Sequence, residues 1–334
     1  KRRQGCLPPI FDEKRRKNMH SIPVFKRKSL VQRAWFDVMR NWQLYLLILI
    51  PLAILILFKY APMYGVQIAF RDFKITRSIT SGTWVGLEYF TKFFDSPMAW
   101  TYIGNTLAIS LYELCTFPLS LVLALLLNYL PSKRYRKAIQ MISYAPHFIS
   151  TVVMCGIILQ FLQARGGLIN VLLNLVGIES RNWITYPSAF RHIYVWSGVW
   201  QGLGYSSIIY IAALSAVPPD LHEAAIVDGA NIVKRIWHVD IPCVLPTFCI
   251  LLIMRCGSIL NVGFQKVLLL QNNLNLSVSE IISTYTYNIG LNSSGAVPQY
   301  SYGAAIGLFT SVVNLVLLVI VNAITKRLSG NGLW

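Results

Sequence analysis

The chain has 334 residues, of which 55% are hydrophobic and only 13% are charged, and its mean hydropathy is +0.52. These values are typical of a polytopic membrane protein and exclude a soluble domain of useful size. The net charge of +17 lies largely in clusters beside apolar segments, such as residues 133–137. Such clusters set topology and bind anionic headgroups, so we expect membrane lipid, and no nucleic acid, among the partners.

Residues 1–43 are predicted to form a basic cytoplasmic tail followed by an interfacial helix. Residues 1–28 are polar and basic, so we expect little order there. Residues 31–44 place apolar side chains, including Trp35, on one helical face, as an amphipathic helix on a membrane does. The first apolar run starts near Leu44, and no small-residue cleavage site follows it, so it is predicted to be a retained anchor rather than a signal peptide.

Six segments are apolar over the roughly 20 residues that a transmembrane helix needs. They are residues 44–60, 102–129, 139–163, 193–214, 241–261 and 300–325. We therefore predict an all-α, polytopic fold with a six-span domain over residues 44–325 and a C-terminal tail over residues 326–334. Lys and Arg are concentrated in the loops on the side of both termini, which predicts that both termini are cytoplasmic. Pro118 and Pro146 are expected to kink or open the second and third spans.

No motif in the chain indicates catalysis or a bound cofactor. The six cysteines form no CxxC pair and fall mostly in predicted spans, where free thiols pack as small apolar residues. The histidines lack metal-ligand spacing, and no Gly-x-x-x-x-Gly-Lys motif is present to hold ATP phosphates. We expect no metal, no cofactor and no enzymatic activity, so any energy for transport must come from another polypeptide.

The loop between the fourth and fifth spans carries the most informative pattern. Asp220 and Glu223 fit the N-cap and N3 positions of a capping box. Gly229 is expected to end that helix in the left-handed conformation and to lead into a second short helix over residues 231–237. The expected product is a helix, hinge, helix unit along the cytoplasmic membrane surface. It is a docking surface, unless Glu223 serves only to cap the helix.

At these residues the chain resembles the membrane permease subunits of bacterial binding-protein-dependent ABC importers. Their signature is Glu-Ala-Ala, three residues, Gly, nine residues and Ile-x-Leu-Pro. The matching residues are Glu223, Ala224, Ala225, Gly229 and Pro242, with Val239 and Ile241 in place of Ile and Leu. Asp228-Gly229-Ala230 and residues 200–204 look like the oligosaccharide and polysaccharide branch, which includes importers similar to those for maltose, aldouronates and alginate.

The resemblance implies a set of partners in the bacterial cytoplasmic membrane. They are a second homologous permease, two cytoplasmic ATPase subunits that bind ATP and Mg²⁺, an extracytoplasmic solute-binding protein and an oligosaccharide substrate. The residues that it assigns to ATPase coupling are Asp220, Glu223, Ala224, Ala225, Asp228, Gly229 and Ala230. Closure of the ATPases would pull the coupling helices together and switch the cavity between its two faces by alternating access.

A sugar pathway needs aromatic faces and polar groups in a largely preformed cavity. The candidates on the fourth and fifth spans are Trp200, Gln201, Gly202, Tyr205, Arg255, Gly257, Asn261 and Phe264. By resemblance, Gly202 and Tyr205 match cavity-lining positions of sugar permeases, although core packing or an interfacial belt would also explain the aromatic residues. Glu113 and Arg255 are predicted within spans, where a charge needs a partner or water. They pair with each other, or Arg255 binds a carboxylate on the substrate.

The predicted function is thus that of a permease subunit of an ATP-driven oligosaccharide importer, with acidic, uronate-containing sugars modestly favoured. The main alternative is an ion-coupled secondary transporter, which requires an ionisable relay and usually internal repeats. One candidate acid and no repeat are visible. A membrane scaffold or sensor would leave the polar residues of the spans unexplained.

Overall fold

A computed structural model describes residues 38–76, 78–292, 298–330 and 332–333. Over these ranges the chain is helical, and extended pairing is limited to one antiparallel bridge between Arg71 and Trp84. The predicted all-α membrane fold is therefore confirmed. The basic tail and most of the interfacial helix predicted for residues 1–43 lie outside the described residues.

The chain divides into two compact units, Lys1–Tyr64 and Gly65–Trp334. The first span is helix α1, Trp42–Phe70, and the boundary between the units falls within it. This helix continues ten residues beyond the predicted end at residue 60, changing to π-helical geometry at Ile56 and to 3-10 geometry at Ala61. Its most apolar stretch has no buried residue.

The second unit contains all the later helices. They are α2 (Glu88–Phe94), α3 (Ala99–Asn128), α4 (Lys133–Phe148), α5 (Thr151–Leu162), α6 (Leu168–Asn174), α7 (Pro187–Ser215), α8 (Pro219–Val227), α9 (Ile232–Cys256), α10 (Phe264–Leu270), α11 (Leu276–Ser279), α12 (Ile282–Gly290) and α13 (Tyr300–Ser329). Four helices of the described chain, namely α1, α3, α9 and α13, are long and apolar enough to cross a bilayer by themselves. The number rises to six if the bent pairs α4–α5 and α7–α8 each count as one span.

The third span differs from the continuous helix predicted over residues 139–163. Helices α4 and α5 are bent by 101° at the short break between them. Pro146 lies in the 3-10 turn that ends α4, Ile149 is extended, and Ser150 caps α5 by accepting a hydrogen bond from the amide of Val153 at 3.4 Å. The proline effect is therefore larger than the predicted kink, because Ser150 stabilises a new helix start.

The second short helix predicted over residues 231–237 is instead the beginning of the fifth span. Asn231 caps α9 by accepting a hydrogen bond from the amide of Lys234 at 2.9 Å. The helix does not stop after this turn, because a π-helical turn at Ile236–Asp240 joins it to the apolar part of the span. The span also ends at Cys256 rather than near residue 261, so Asn261 lies outside the helix.

The spans pack through apolar clusters and a few close backbone approaches. The cluster nearest the α7–α8 connection includes Ala124 on α3, Tyr210 on α7 and Val244 on α9. A Cβ at Gly204 would collide with the backbone of Ser143, so this glycine lets α7 approach α4. Small residues permit such approaches between helices in a bilayer, where packing rather than water exclusion drives association.

Candidate coupling helix and transport cavity

Helix α8 begins two residues earlier than the sequence pattern predicts. Its N-cap is Pro218, Pro219 occupies N1, and no side chain caps the helix. Asp220 is therefore at N2 and Glu223 lies beyond the first turn, so the predicted capping box is wrong. Proline is well suited to N1 because the amide that it lacks would have no partner there. With capping excluded, Glu223 is free to serve another role.

The end of α8 follows the prediction for Gly229. This residue has φ +74°, the left-handed conformation that glycine adopts without a Cβ penalty. The amide of Gly229 donates to the carbonyl of Ile226 at 3.0 Å, and the amide of Ala230 donates to that of Ala225 at 2.8 Å. These two bonds constitute a Schellman motif, and they turn the chain from α8 into α9.

The outer face of α8 is an exposed surface with both apolar and acidic side chains. Glu223, Ala224 and Asp228 are exposed, and Val227 is 87% exposed. On the first turns of α9, Val233 and Trp237 are 60% and 64% exposed. An apolar surface with acidic neighbours at a loop between spans has the composition of a protein interface.

A cavity of about 540 Å³ lies between α3, α7 and α9. Its wall combines the ionisable side chains Glu113 and Arg255 with the aromatic ring of Tyr205. The other lining residues are Thr116, Phe117, Ser120, Val195, Gly198, Val199, Gly202, Leu203, Ser206, Ile209, Tyr210, Leu251, Met254 and Ser258. Its size and its mixture of apolar walls with a few polar groups are those of a small-molecule site.

Glu113 on α3 and Arg255 on α9 form an ion pair in the cavity wall, with Arg255 Nη2 donating to Glu113 Oε2. The carboxylate side chain is 21% exposed and the guanidinium side chain 43%. The ammonium group of Lys266, on α10, also attracts Glu113 electrostatically. Lys266 donates to the carbonyl of Tyr194 at 2.7 Å and lies 4.5 Å from the centre of the Tyr194 ring. Arg255 is thus the cation in direct contact with Glu113, while the ammonium group of Lys266 contacts Tyr194.

The structure brings three of the predicted pathway residues, Gly202, Tyr205 and Arg255, into this cavity. The others lie elsewhere. Gln201 donates to the carbonyl of Ile149 at 2.9 Å, and Gly257 packs tightly against Leu318. Asn261 borders a much smaller space behind the ion pair. Trp200 is half-exposed outside the cavity lining, and Phe264 packs against Tyr287 with ring centres 4.9 Å apart.

Several lining residues were missed in the sequence, although a signal for them exists. Thr116 and Ser120 follow Glu113 by three and seven residues on α3. Residues at this spacing share one face of a helix. A polar stripe on an otherwise apolar span therefore indicates the cavity wall more directly than aromatic content does.

The family model for "Binding-protein-dependent transport system inner membrane component" matches residues 116–330, which include every lining residue except Glu113 and all the residues predicted to couple to an ATPase. The chain belongs to this family. It is therefore a transport permease component and a multi-pass membrane protein, not an enzyme, and the family resemblance predicted from the Glu223–Pro242 signature is confirmed.

Individual relatives of this permease extend the likeness over almost the whole chain. It is 36% identical over 312 residues to the polygalacturonan/rhamnogalacturonan transport system permease protein YteP of Bacillus subtilis, covering 93% of this chain and 96% of the relative. It is 40% identical over 296 residues to Protein LplB of Bacillus subtilis, covering 88% and 92%. One solved structure that matches is a bacterial alginate ABC transporter in complex with an alginate pentasaccharide-bound periplasmic protein. The match has a TM-score of 0.81 and 36% sequence identity, and it covers 90% of this chain and 100% of the chain in that structure.

Proposed function

We propose that this permease forms part of the membrane pathway of an ATP-driven importer of oligosaccharides. The cavity between α3, α7 and α9 carries the proposal, because it offers aromatic, hydroxyl and charged groups to a ligand within the membrane-spanning part of the chain. Two relatives act on polysaccharide-derived substrates according to their names, which supports the same substrate class here.

The proposed energy source is a pair of cytoplasmic ATPase subunits that dock on α8. The chain contains no phosphate-binding loop, and the exposed face around Glu223 and Val227 is a surface that needs a partner. The remaining proposed partners are a second, homologous permease and an extracytoplasmic binding protein that delivers the sugar. Both termini would lie in the cytoplasm of a bacterial cell, with the chain in its inner membrane.

The substrate is proposed to be acidic. Arg255 is the cation in the cavity lining, and its side chain is 43% exposed, which is enough to reach a ligand in the cavity. A guanidinium binds a carboxylate through two parallel hydrogen bonds, which a neutral sugar cannot match. Alginate, the substrate of the alginate transporter, is itself acidic.

Reconstitution of the complete importer in vesicles tests the proposal. We expect uptake of an oligouronate that requires ATP on the ATPase side and the loaded binding protein on the opposite side. Omission of either should abolish uptake, and the purified permease alone should hydrolyse no ATP. Uptake driven by an ion gradient without ATP would overturn the proposal in favour of a secondary transporter.

A further inference from the structure

A buried carboxylate lies where the coupling helix α8 meets the membrane-spanning helices. Asp240 is in the π-helical turn near the start of α9, and its side chain is completely buried. Burial of a carboxylate is costly unless its charge and both oxygens are compensated. The contacts of its two oxygens therefore show what this residue holds together.

Each oxygen of Asp240 faces a different helix. The hydroxyl of Tyr129, the residue that follows α3, donates to Asp240 Oδ2 at 2.6 Å. His222 Nε2, on α8, lies 3.4 Å from Asp240 Oδ1. In the described part of the chain Oδ1 accepts no hydrogen bond, so the polar contact with the imidazole of His222 is the compensation that the structure shows for this oxygen. One carboxylate thus joins α3, α8 and α9.

The inner and outer faces of α8 have different partners. His222 is only 23% exposed, whereas the adjacent Glu223 and Ala224 are exposed. Successive residues on a helix are about 100° apart, so the histidine contacts the membrane domain while its neighbours remain available to another protein. Arg235, whose guanidinium lies 5.4 Å from the centre of the Tyr129 ring, packs α9 against the same corner.

We propose that Asp240 is a positioning residue that holds α8 to α3 and α9 through its polar contact with the imidazole of His222. A displacement of α8 by a docked protein would then move both membrane-spanning helices, which carry Glu113 in the middle of α3 and Arg255 at the far end of α9. This inference rests on the proposed function, because it requires that an ATPase docks on α8.

The test uses the complete importer in vesicles and measures sugar transported per ATP hydrolysed. His222→Gln and Asp240→Asn keep the size of each side chain but remove the charge attraction. We expect each to lower this ratio by roughly fivefold or more, the range of a typical coupling between sites, while binding-protein-stimulated ATP hydrolysis continues. Because the two residues act through one contact, the double variant should be no worse than the more affected single variant. His222→Lys, which retains a positive charge, should preserve the ratio better than His222→Gln.

His238 provides the matched control. It lies in the π-helical turn of α9, two residues before Asp240. Its ring is exposed and its Nδ1 is 2.9 Å from the carbonyl oxygen of Lys234, so His238→Gln should leave the ratio unchanged. A normal ratio in both His222→Gln and Asp240→Asn would overturn the proposed positioning role. An equal fall of the transport-to-hydrolysis ratio in His222→Gln and His222→Lys would also overturn it. That result would show that the shape of the His222 side chain matters and its charge does not. Each comparison is made against an active wild-type complex, so failure of the wild-type complex would instead contradict the proposed function.

Discussion

Replacing Arg255 by Met separates the two roles that the ion pair with Glu113 can have. The change removes a guanidinium while keeping a long, unbranched side chain in the cavity wall. It leaves the carboxylate of Glu113, only 21% exposed, without its nearest cation. We expect lower stability of the complex and, if Arg255 contacts the substrate, a selective loss of acidic sugar uptake.

The expected magnitudes follow from the exposure of the pair. Breaking a fully buried ion pair by removing one partner costs about 3–5 kcal/mol. Arg255 is 43% exposed, so solvent screening reduces that figure, and Lys266 still attracts Glu113; a cost of about 1–2 kcal/mol is reasonable. A charge-assisted hydrogen bond to the substrate contributes about 1.5–3 kcal/mol, which is about a 10- to 100-fold change in uptake at limiting substrate.

The assay compares uptake of an oligouronate with that of a neutral oligosaccharide of equal length, alongside thermal unfolding of the purified complex. Glu113→Gln combined with Arg255→Met should restore the unfolding temperature, because no carboxylate is then unpaired, but it should not restore oligouronate uptake. Arg165→Met removes the same charge from an exposed loop residue outside the cavity and should alter neither measurement. Normal oligouronate uptake by well-assembled Arg255→Met complexes would refute the carboxylate-binding role and leave the pair purely structural.

Three further variants test the coupling helix and the helix packing. Gly229→Val should uncouple transport from ATP hydrolysis, because a β-branched residue at φ +74° costs roughly 1–2 kcal/mol; wild-type transport per ATP would contradict this. Glu223→Lys should weaken co-purification of the ATPase by reversing the charge of an exposed position, and unchanged recovery would refute its docking role. Gly204→Leu should lower the unfolding temperature in detergent, since its Cβ would overlap the Ser143 backbone. Gly202→Ala is the matched control, because a Cβ there meets no atom within 4 Å.

Local backbone features of the coupling loop could be predicted because their causes are local. Gly229 and Asn231 act within a few residues of their own positions, and both appear as expected helix boundaries. Asp220 was misplaced because Pro219 competes for the helix start, and N1 proline is as strong a signal as a side-chain cap. The sequence alone does not show whether Pro219 or Asp220 sets the start of the helix. That choice depends on how the α7–α8 connection packs.

The helical, membrane-spanning character of these segments was predictable, but their continuity was not, since four helices could span alone and six only if each bent pair counts as one span. Apolar content indicates that a segment lies in lipid, but it does not show where the helix is interrupted. The 101° bend at residues 149–150 depends on Pro146 in the last turn of α4 and on Ser150 as the N-cap of α5. The cavity was predictable only in part for a related reason. Gly202, Tyr205 and Arg255 line it, whereas Gln201 and Gly257 are held by contacts to Ile149 and Leu318, which come from distant parts of the chain.

The continuity of α9 links the two functional regions of the molecule. The helix runs from Ile232, directly after the coupling turn, to Cys256, one residue past Arg255. At about 1.5 Å per residue, the 23 residues between Ile232 and Arg255 span roughly 35 Å. Pro242 and Pro246 lie within this length, but the helix continues through both, so one element connects the end next to α8 with the cavity. Arg255 bonds to Glu113 in the middle of α3, and Asp240 accepts a hydrogen bond from Tyr129, which follows α3, so α3 and α9 are joined at two levels. A movement of α9 relative to α3 that alters the contacts of Asp240 therefore also strains the ion pair between Glu113 and Arg255.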